Sequence, residues 1–511
     1  MKMTLAAALI GAAVLSWTQP SYAQKSQDTV RLAIQDMFPG LDSYVYPTSE
    51  ASQFHRDIYE SVIAYDARNG KYVPVLAKSW VRVAPNVIEM ELRDDVKFHS
   101  GNPMTADDAI YTWTFFADPA TKLRSPSRYN WIDKVEKLGP YKLRIVGKQT
   151  FADDIDTVAN YFNVFDSKVH KTIPDFADYG RVSASGTGPY KLISLDNRGV
   201  TLERYDGYQR PLRAASKRII GVSIPDEQTR IAQLLTGGID VIRNISTDNA
   251  KSLAANPNIK ITNVKGGDII YITLDAIGRS ENKALTDPRV RKAFMMAIDR
   301  DTIIKQLLPG GGVVESMDAI CFKWVVNCAY SSKVTGYDPA GAKKLLTEAG
   351  FPNGLDLQLS VWDPVKFIAE AVSGDLRKVG IRATVQTMPL ATYVRLRGRG
   401  ELTTFIGTYP IAGQPNLVNL FDLFFLADRD YYNDDLIMSS YKQAVQELDE
   451  TKRKAIYEKA LNRINEMNYI YPFSSLPAAF AHSKDVKIVD NYYSPYMVDV
   501  NDLVWADYNG K

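Results

Sequence analysis

Histidine and cysteine are scarce in this chain of 511 residues, which has four of the first and two of the second. The histidines (His55, His99, His170, His482) lie far apart, and no Cys or His pair has zinc-ligand spacing, so each His is read as a surface or satisfied core residue and metal binding is the weaker reading. Charge of one sign is missing too. A formal net charge of +2 leaves no electrostatic footprint for nucleic acid. Beyond the N-terminus no apolar run is long enough to span a bilayer. There is no G-x-S-x-G elbow and no H-E-x-x-H pair, the common marks of hydrolases. Ser439 and Lys442 have S-x-x-K spacing, but the accompanying S-D-N and K-T-G elements are absent, so chance explains it. Internal repeats and low-complexity segments are also absent.

What is present describes a large globular protein. Hydrophobic residues make up 45% and charged residues 23%, and the length exceeds what one hydrophobic core serves. Tyrosine is abundant, at 29, and Trp adds 7, which fits polar–aromatic recognition surfaces, while many of these rings are expected in the core or between layers. Lys2, the apolar stretch Leu5 to Trp17 and the small residues around Ser21-Tyr22-Ala23 read as a secretory signal over residues 1–23, cleaved before Gln24. No cysteine lies there to carry a lipid anchor, so a soluble, exported, periplasmic protein is expected. In that oxidising compartment Cys321 and Cys328 are expected to form a disulfide closing a short surface loop.

Periodicity predicts strands at Thr29–Ile34, within 87–98, at Tyr141–Val146 and at Val200–Arg204. It predicts a helix over 54–65 with Phe54, Ile58 and Val62 on one face. TADD (Thr105 to Asp108) is a capping box opening another helix. A third helix over 226–236 should turn Ile231, Leu234 and Leu235 inward. One long helix is expected over 288–308 and another over 339–349. A strand–helix–strand order from Leu355 to Gln386 suggests a βαβ unit. One or two amphipathic helices fill 436–467.

Val264 to Asp275 and Tyr469 to Ala479 have the character of chain crossings between domains. The expectation is therefore an α/β chain of two lobes. Residues 24–264 form lobe I, with a subdomain at about 70–183; residues 265–475 form lobe II; and 476–511 return to lobe I. Paired crossings place a ligand cleft between lobes and permit hinge closure.

Six segments, in order, carry a resemblance to a known family: Leu76–Trp80 (LAKSW), Val96–Trp113 (VKFHSGNPMTADDAIYTW), Gly186–Leu192 (GTGPYKL), Glu227–Ile242, Leu285–Ile303 and Tyr337–Gly354. Together they resemble the family 5 extracellular solute-binding proteins of ABC importers, the dipeptide, oligopeptide and nickel-binding group. The resemblance implies a two-lobed periplasmic binding protein fold of type II, in its large three-subdomain form. It also implies a non-catalytic monomeric receptor without a cofactor, whose partners are a small organic solute and the transmembrane subunits of an ABC permease.

FIGTYPIAGQPN (Phe405 to Asn416) has no charged side chain. In peptide binders of the family the corresponding stretch resembles "GW..D..DP", and its first Asp pairs with the peptide's α-amino group. Aligning Gly407 and Pro415 with that pattern puts Ile411 at the Asp position, Gln414 at a second acid and Thr408 at the Trp, with Tyr409 next. The resemblance then implies a ligand without a free amine: a blocked or modified peptide, an opine-like or sugar conjugate, an oligosaccharide or an aromatic carboxylate. Alternatively another acid, Asp422 or Asp363, serves the amine. By position, the ligand-binding candidates are Tyr44, Tyr46, Tyr129, Trp131, Trp362, Tyr409, Ile411, Gln414 and Asn416. The competing functions are a secreted hydrolase and a ligand-binding sensor or chaperone that does not transport.

Overall fold

A computed structural model of the chain describes residues 27–507, except 43, 45–48, 67–68, 122, 124–125, 182, 210–215, 309–313, 315, 411–416 and 490–497. The signal segment, Tyr46, Ile411, Gln414 and Asn416 lie outside the described residues.

One ten-stranded sheet runs through both lobes. From one edge its order is Ile381–Met388, Leu355–Trp362, Thr404–Pro410, Ile259–Leu274, Ile470–Ser483, Val241–Arg243, Thr29–Ile34, Arg218–Ser223, Gly199–Arg204 and Tyr190–Leu195. The two long central strands, Ile259–Leu274 and Ile470–Ser483, join the lobes. Ile259 to Val264 pairs with Ala478 to Ser483 on the lobe I side. Asp268 to Thr273 pairs with Ile470 to Leu476 on the lobe II side, and with Thr404–Pro410 on its other edge. The register breaks between Val264 and Asp268, where Lys265-Gly266-Gly267 intervene. A bulge of this kind bends a strand locally.

The β-branched run after that bulge alternates between two cores, as the period of two demands. Ile269 and Tyr271 enter one apolar cluster of lobe II, and Ile270, Ile272 and Leu274 enter the other. In lobe I one continuous core covers both the large sheet (Val30, Leu32) and a four-stranded antiparallel sheet (Ile88, Met90, Leu143, Ile145). The βαβ unit forms, with Leu355–Trp362 parallel to Ile381–Met388 and the helix Lys366–Lys378 between them. The helix Ala106–Ala117 starts as the capping box requires: the Thr105 N–H donates to Asp108 Oδ2 at 2.9 Å.

Four local expectations change. The helix over 54–65 is instead a helix Ser49–His55, a turn and a strand Ile63–Asp66, although Phe54, Ile58 and Val62 are all fully buried. The carbonyls of Asp57 and Ile58 cannot serve a helix because they accept from Tyr190 and Gly188 N–H at 3.0 and 2.9 Å. The long helix over 288–308 is two, Pro288–Met296 and Arg300–Leu307, because Asp299 accepts from Thr302 N–H and caps the second. Leu235 points outward, 50% exposed, while Leu234 and Arg230 take the inner face of the helix Glu227–Leu235. The disulfide Cys321–Cys328 is formed, but both sulfur-bearing residues are buried in the aromatic core of lobe II rather than in a surface loop.

Gly186 and Gly188 illustrate how a motif can be right for a different reason. A turn would explain the glycines of GTGPY, yet neither has a positive φ. A Cβ on Gly186 would stand 1.9 Å from the Ile58 carbonyl oxygen, and one on Gly188 would stand 2.4 Å from that of Asp57. Close backbone approach, not turn geometry, excludes a side chain.

Candidate functional site

The carboxyl ends of Leu355–Trp362 and Thr404–Pro410 point to the same edge of the lobe II sheet, since the two strands are parallel. Asp268 lies beside Pro410 at that edge. Open α/β sheets bind ligands at the carboxyl ends of their strands. Lobe I faces this edge with an aromatic stack.

Tyr44, Tyr129 and Trp131 build that stack, and all three are buried. The Tyr44 ring lies parallel to Phe116 with centroids 3.7 Å apart, and its hydroxyl donates to the Asn163 carbonyl at 3.2 Å. Tyr129 donates its hydroxyl to the Tyr161 carbonyl at 2.9 Å, and Trp131 Nε1 donates to the Arg128 carbonyl at 3.0 Å. These rings therefore hold the backbone of Arg128 and Tyr161 in place. Arg128 and Tyr161 were not apparent from sequence; an arginine between Pro126 and Tyr129 gives no motif to find.

The Arg128 guanidinium lies over the Tyr161 ring, 4.1 Å from its centroid. From lobe II, Asn419 Nδ2 donates to the Tyr161 hydroxyl at 2.9 Å. Tyr409, on Thr404–Pro410, is 1% exposed, and its ring edge meets Phe424 at 6.0 Å. Burial raises the Tyr409 phenol well above its ordinary range; Tyr161 and Asp422 add to this and Arg128 opposes it. Those groups belong to both lobes, so Tyr409 stands at their junction. Trp362 ends its strand half-buried between the two lobe II cores, and its Nε1 has no partner among the described residues. His55 is held neutral, its imidazole pulled down to about 3 by burial, then by Arg56 and Arg128.

A second polar group sits at the bulge. Burial pushes the Asp268 carboxyl up to about 6, Arg243 pulls it down and Glu50 pushes it further up. Asp363 is exposed, whereas Asp422 is half-buried near Tyr409 and Tyr441.

Two further contacts join the lobes away from this junction. The Asp153 carboxylate accepts from Asn327 Nδ2 at 3.0 Å and from the Tyr457 hydroxyl at 2.8 Å. Beside it Ala152 N–H donates to the Val445 carbonyl at 2.7 Å. Asn327 lies inside the disulfide loop. The arrangement offers a solute hydrogen bonds, ring faces and charge from both lobes. Ser439 and Lys442, by contrast, are exposed on the helix Asp435–Ala444, and Ser439 donates to the Leu436 carbonyl. Among the described residues no three His, Cys, Asp or Glu side chains converge as metal ligands would, and no helix is long and apolar enough to cross a membrane.

Two α/β lobes joined by paired strands around a polar–aromatic junction define a periplasmic binding protein fold of type II. The family model described as bacterial extracellular solute-binding proteins, family 5 Middle, matches residues 71–430, and the chain belongs to that family. Glutathione-binding protein GsiB of Shigella flexneri serotype 5b is 25% identical over 506 residues, spanning 94% of this chain and 95% of the relative. Heme-binding protein A of Haemophilus influenzae is 23% identical over 386 residues, 69% of this chain and 68% of the relative. Among solved structures, the periplasmic binding protein DppA of Helicobacter pylori, in complex with the peptide STSA, superposes with a TM-score of 0.77. Its identity is 21%, and the match covers 94% of this chain and 99% of that one. The protein is thus a solute-binding receptor of ABC importers, a class of non-catalytic binding proteins that work with ABC permeases.

Proposed function

We propose that this receptor works in the periplasm, takes an organic solute without a free α-amine into the interlobe junction, closes on it and hands it to an ABC permease. The observation that carries the reading is the meeting of Asn419 and Tyr409 from lobe II with Tyr161 and Arg128 from lobe I. A solute caught there is touched by both lobes, so its binding favours the closed arrangement. The relatives' names include glutathione, heme and a peptide, so family membership leaves the ligand open. The uncharged stretch through Ile411, Gln414 and Asn416 supports a ligand that brings no ammonium. Aromatic faces at Tyr409 and Trp362 suit a flat or apolar group.

The test is calorimetry of the mature protein against a mixed peptide library, paired with mass spectrometry of what co-purifies. Free di- and tripeptides should bind poorly, and an amine-free compound should co-purify. Sub-micromolar binding of an unmodified peptide would overturn the amine-free reading. X-ray scattering with the co-purified compound restored should show a smaller radius of gyration than without it.

A second reading has one observation behind it. Asp268 keeps a carboxyl near the junction, poised at about 6. A peptide ammonium paired with it would pull that value down, so binding would release a proton and tighten as pH rises through 6. Affinity for peptides that is independent of pH between 5 and 7 would sink this reading.

A further inference from the structure

The guanidinium of Arg128 is placed where few proteins leave one. The residue is 6% exposed, and its Nε and Nη2 are buried with no hydrogen-bond partner among the described residues. It enters no ion pair among the described residues either. The ring of Tyr161 beneath it offers a cation–π contact but accepts none of the in-plane N–H groups. Burying a charged donor without an acceptor is strongly unfavourable. Nothing packed around it settles that need. The neighbours are His55, held neutral, and the phenols of Tyr44, Tyr129, Tyr161 and Tyr409. The buried carboxylate acting on the same phenols, Asp42, accepts from Tyr44 N–H at 2.7 Å.

Which two nitrogens are unsatisfied matters. Nε and Nη2 form one edge of the guanidinium, and their N–H bonds run parallel. That edge matches the two oxygens of a carboxylate. Across the junction the Tyr409 hydroxyl is also buried and without a partner among the described residues. It supplies a third donor from the opposite lobe.

We propose that the Nε/Nη2 edge of Arg128 and the hydroxyl of Tyr409 form a carboxylate clamp spanning the two lobes. The proposal rests on the reading that the interlobe junction is the ligand site, and it names the ligand's anchoring group. It also explains how capture couples to closure. Arg128 is buried on lobe I, Tyr409 on lobe II, and one carboxylate satisfies both only when the lobes are together. A ligand anchored through a carboxylate needs no amine partner, in keeping with the uncharged stretch after Tyr409.

The experiment uses the mature protein, wild type and the variants Arg128→Gln, Arg128→Lys and Tyr409→Phe. Each is immobilised and exposed to a small-molecule yeast extract, either untreated or with its carboxyl groups converted to amides. Retained compounds are released by denaturation and identified by mass spectrometry. Wild type should retain one or a few carboxylic acids from the untreated extract and none of them from the amidated one. Arg128→Gln should lower retention by about 100-fold or more, as expected for a buried charge pair losing one partner. Arg128→Lys keeps the charge but not the parallel fork, and should retain an intermediate amount. Tyr409→Phe should cost about 10-fold, the share of one hydrogen bond to a charged group. Undiminished retention from amidated extract, a retained phosphate or sulfonate, or unchanged retention by Arg128→Gln would each overturn the clamp. If Arg128→Gln does not fold, the lysine and phenylalanine variants decide the matter by the same readout. Retention of nothing by wild type would overturn the receptor reading of the junction, and the clamp with it.

Discussion

Lobe I and lobe II solve burial differently. Lobe I contains all four histidines and a set of buried carboxylates that bolt its segments together. His99 accepts from Gly186 N–H through Nδ1, at 3.3 Å, and holds the Gly188 carbonyl through Nε2, at 2.8 Å. Asp166 gathers Ser100, Asn102 and Ser185, and Asp108 gathers Thr105 and Ser167. The His99 joint ties the segment Val96–Trp113 to Gly186–Leu192, and the other two tie the first of these to Asp166 and Ser167. Lobe II instead layers apolar side chains on both faces of its sheet and places carboxylates at helix starts, as with Asp287, Asp299, Asp338 and Asp434. Its one covalent staple is the disulfide. The lesson is that lobe I depends on fixed polar geometry and protonation state, whereas lobe II depends on apolar packing and oxidation state.

The largest expected effect tests that geometry. Gly186→Ala forces a Cβ to 1.9 Å from the Ile58 carbonyl oxygen, a backbone atom that no side-chain rotation can move away. It should cost at least about 4 kcal/mol, at the severe end for a single substitution. In lobe II, Gly336→Ala meets nothing within 4 Å and should be neutral. Urea denaturation of the two variants is the check; equal stability would remove the claim of rigid joints in lobe I.

Next comes the staple. Replacing both Cys321 and Cys328 with Ser opens a loop with a sequence separation of 7. Chain entropy predicts a loss of about 2.5 kcal/mol. Hydrogen exchange should show the loss in lobe II and around Asp153, because Asn327 in that loop donates to it across the lobes. Deprotection confined to lobe I would reverse the comparison.

Acid should act on the other side. Burial holds the His99 imidazole down at about 4, below the ordinary 6.5. A depressed histidine binds fewer protons folded than unfolded, so its contribution is fully present above pH 6.5 and is lost as pH falls toward 4. At pH 5 this amounts to about 2 kcal/mol. Carboxyls raised by burial, Asp57 among them, have the opposite sign. The measurement is therefore a difference: wild-type stability minus that of His99→Gln, followed from pH 7 to 5, should shrink steadily. A constant difference would show that His99 does not couple folding to protons.

Much of the fold was legible in the sequence because strands and caps are local. Thr29–Ile34, the βαβ unit and the Thr105 cap follow from spacing and cap chemistry alone. The breaks were not legible, because they depend on distant partners. The helix stops at His55 because the carbonyls after it are claimed by Gly188 and Tyr190, more than a hundred residues away. At the junction, sequence position selected Tyr409 together with Tyr44, Tyr129 and Trp131, and all four rings are buried. An aromatic looks the same in a sequence whether its face or its edge meets the cleft. Arg128 went unnoticed because an unpaired charge becomes informative only once its burial is known.

The smallest effect separates pattern from packing most cleanly. Ile231, Leu234 and Leu235 all look inward-facing on a helical wheel, yet Leu235 is 50% exposed while Leu234 is 4% exposed. The inner face is shared with Arg230, which donates to the Ile224 and Pro225 carbonyls at 2.9 and 2.7 Å. That arginine rotates the helix away from the simple apolar stripe. It holds the chain just before the helix. Leu234→Gln should therefore cost about 3 kcal/mol through lost burial and an unsatisfied amide. Leu235→Gln should change stability by less than about 0.5 kcal/mol, as exposed positions do. Denaturation midpoints of the two variants measure it. A large loss at Leu235 would mean that the helix lies the other way round, with its arginine toward water.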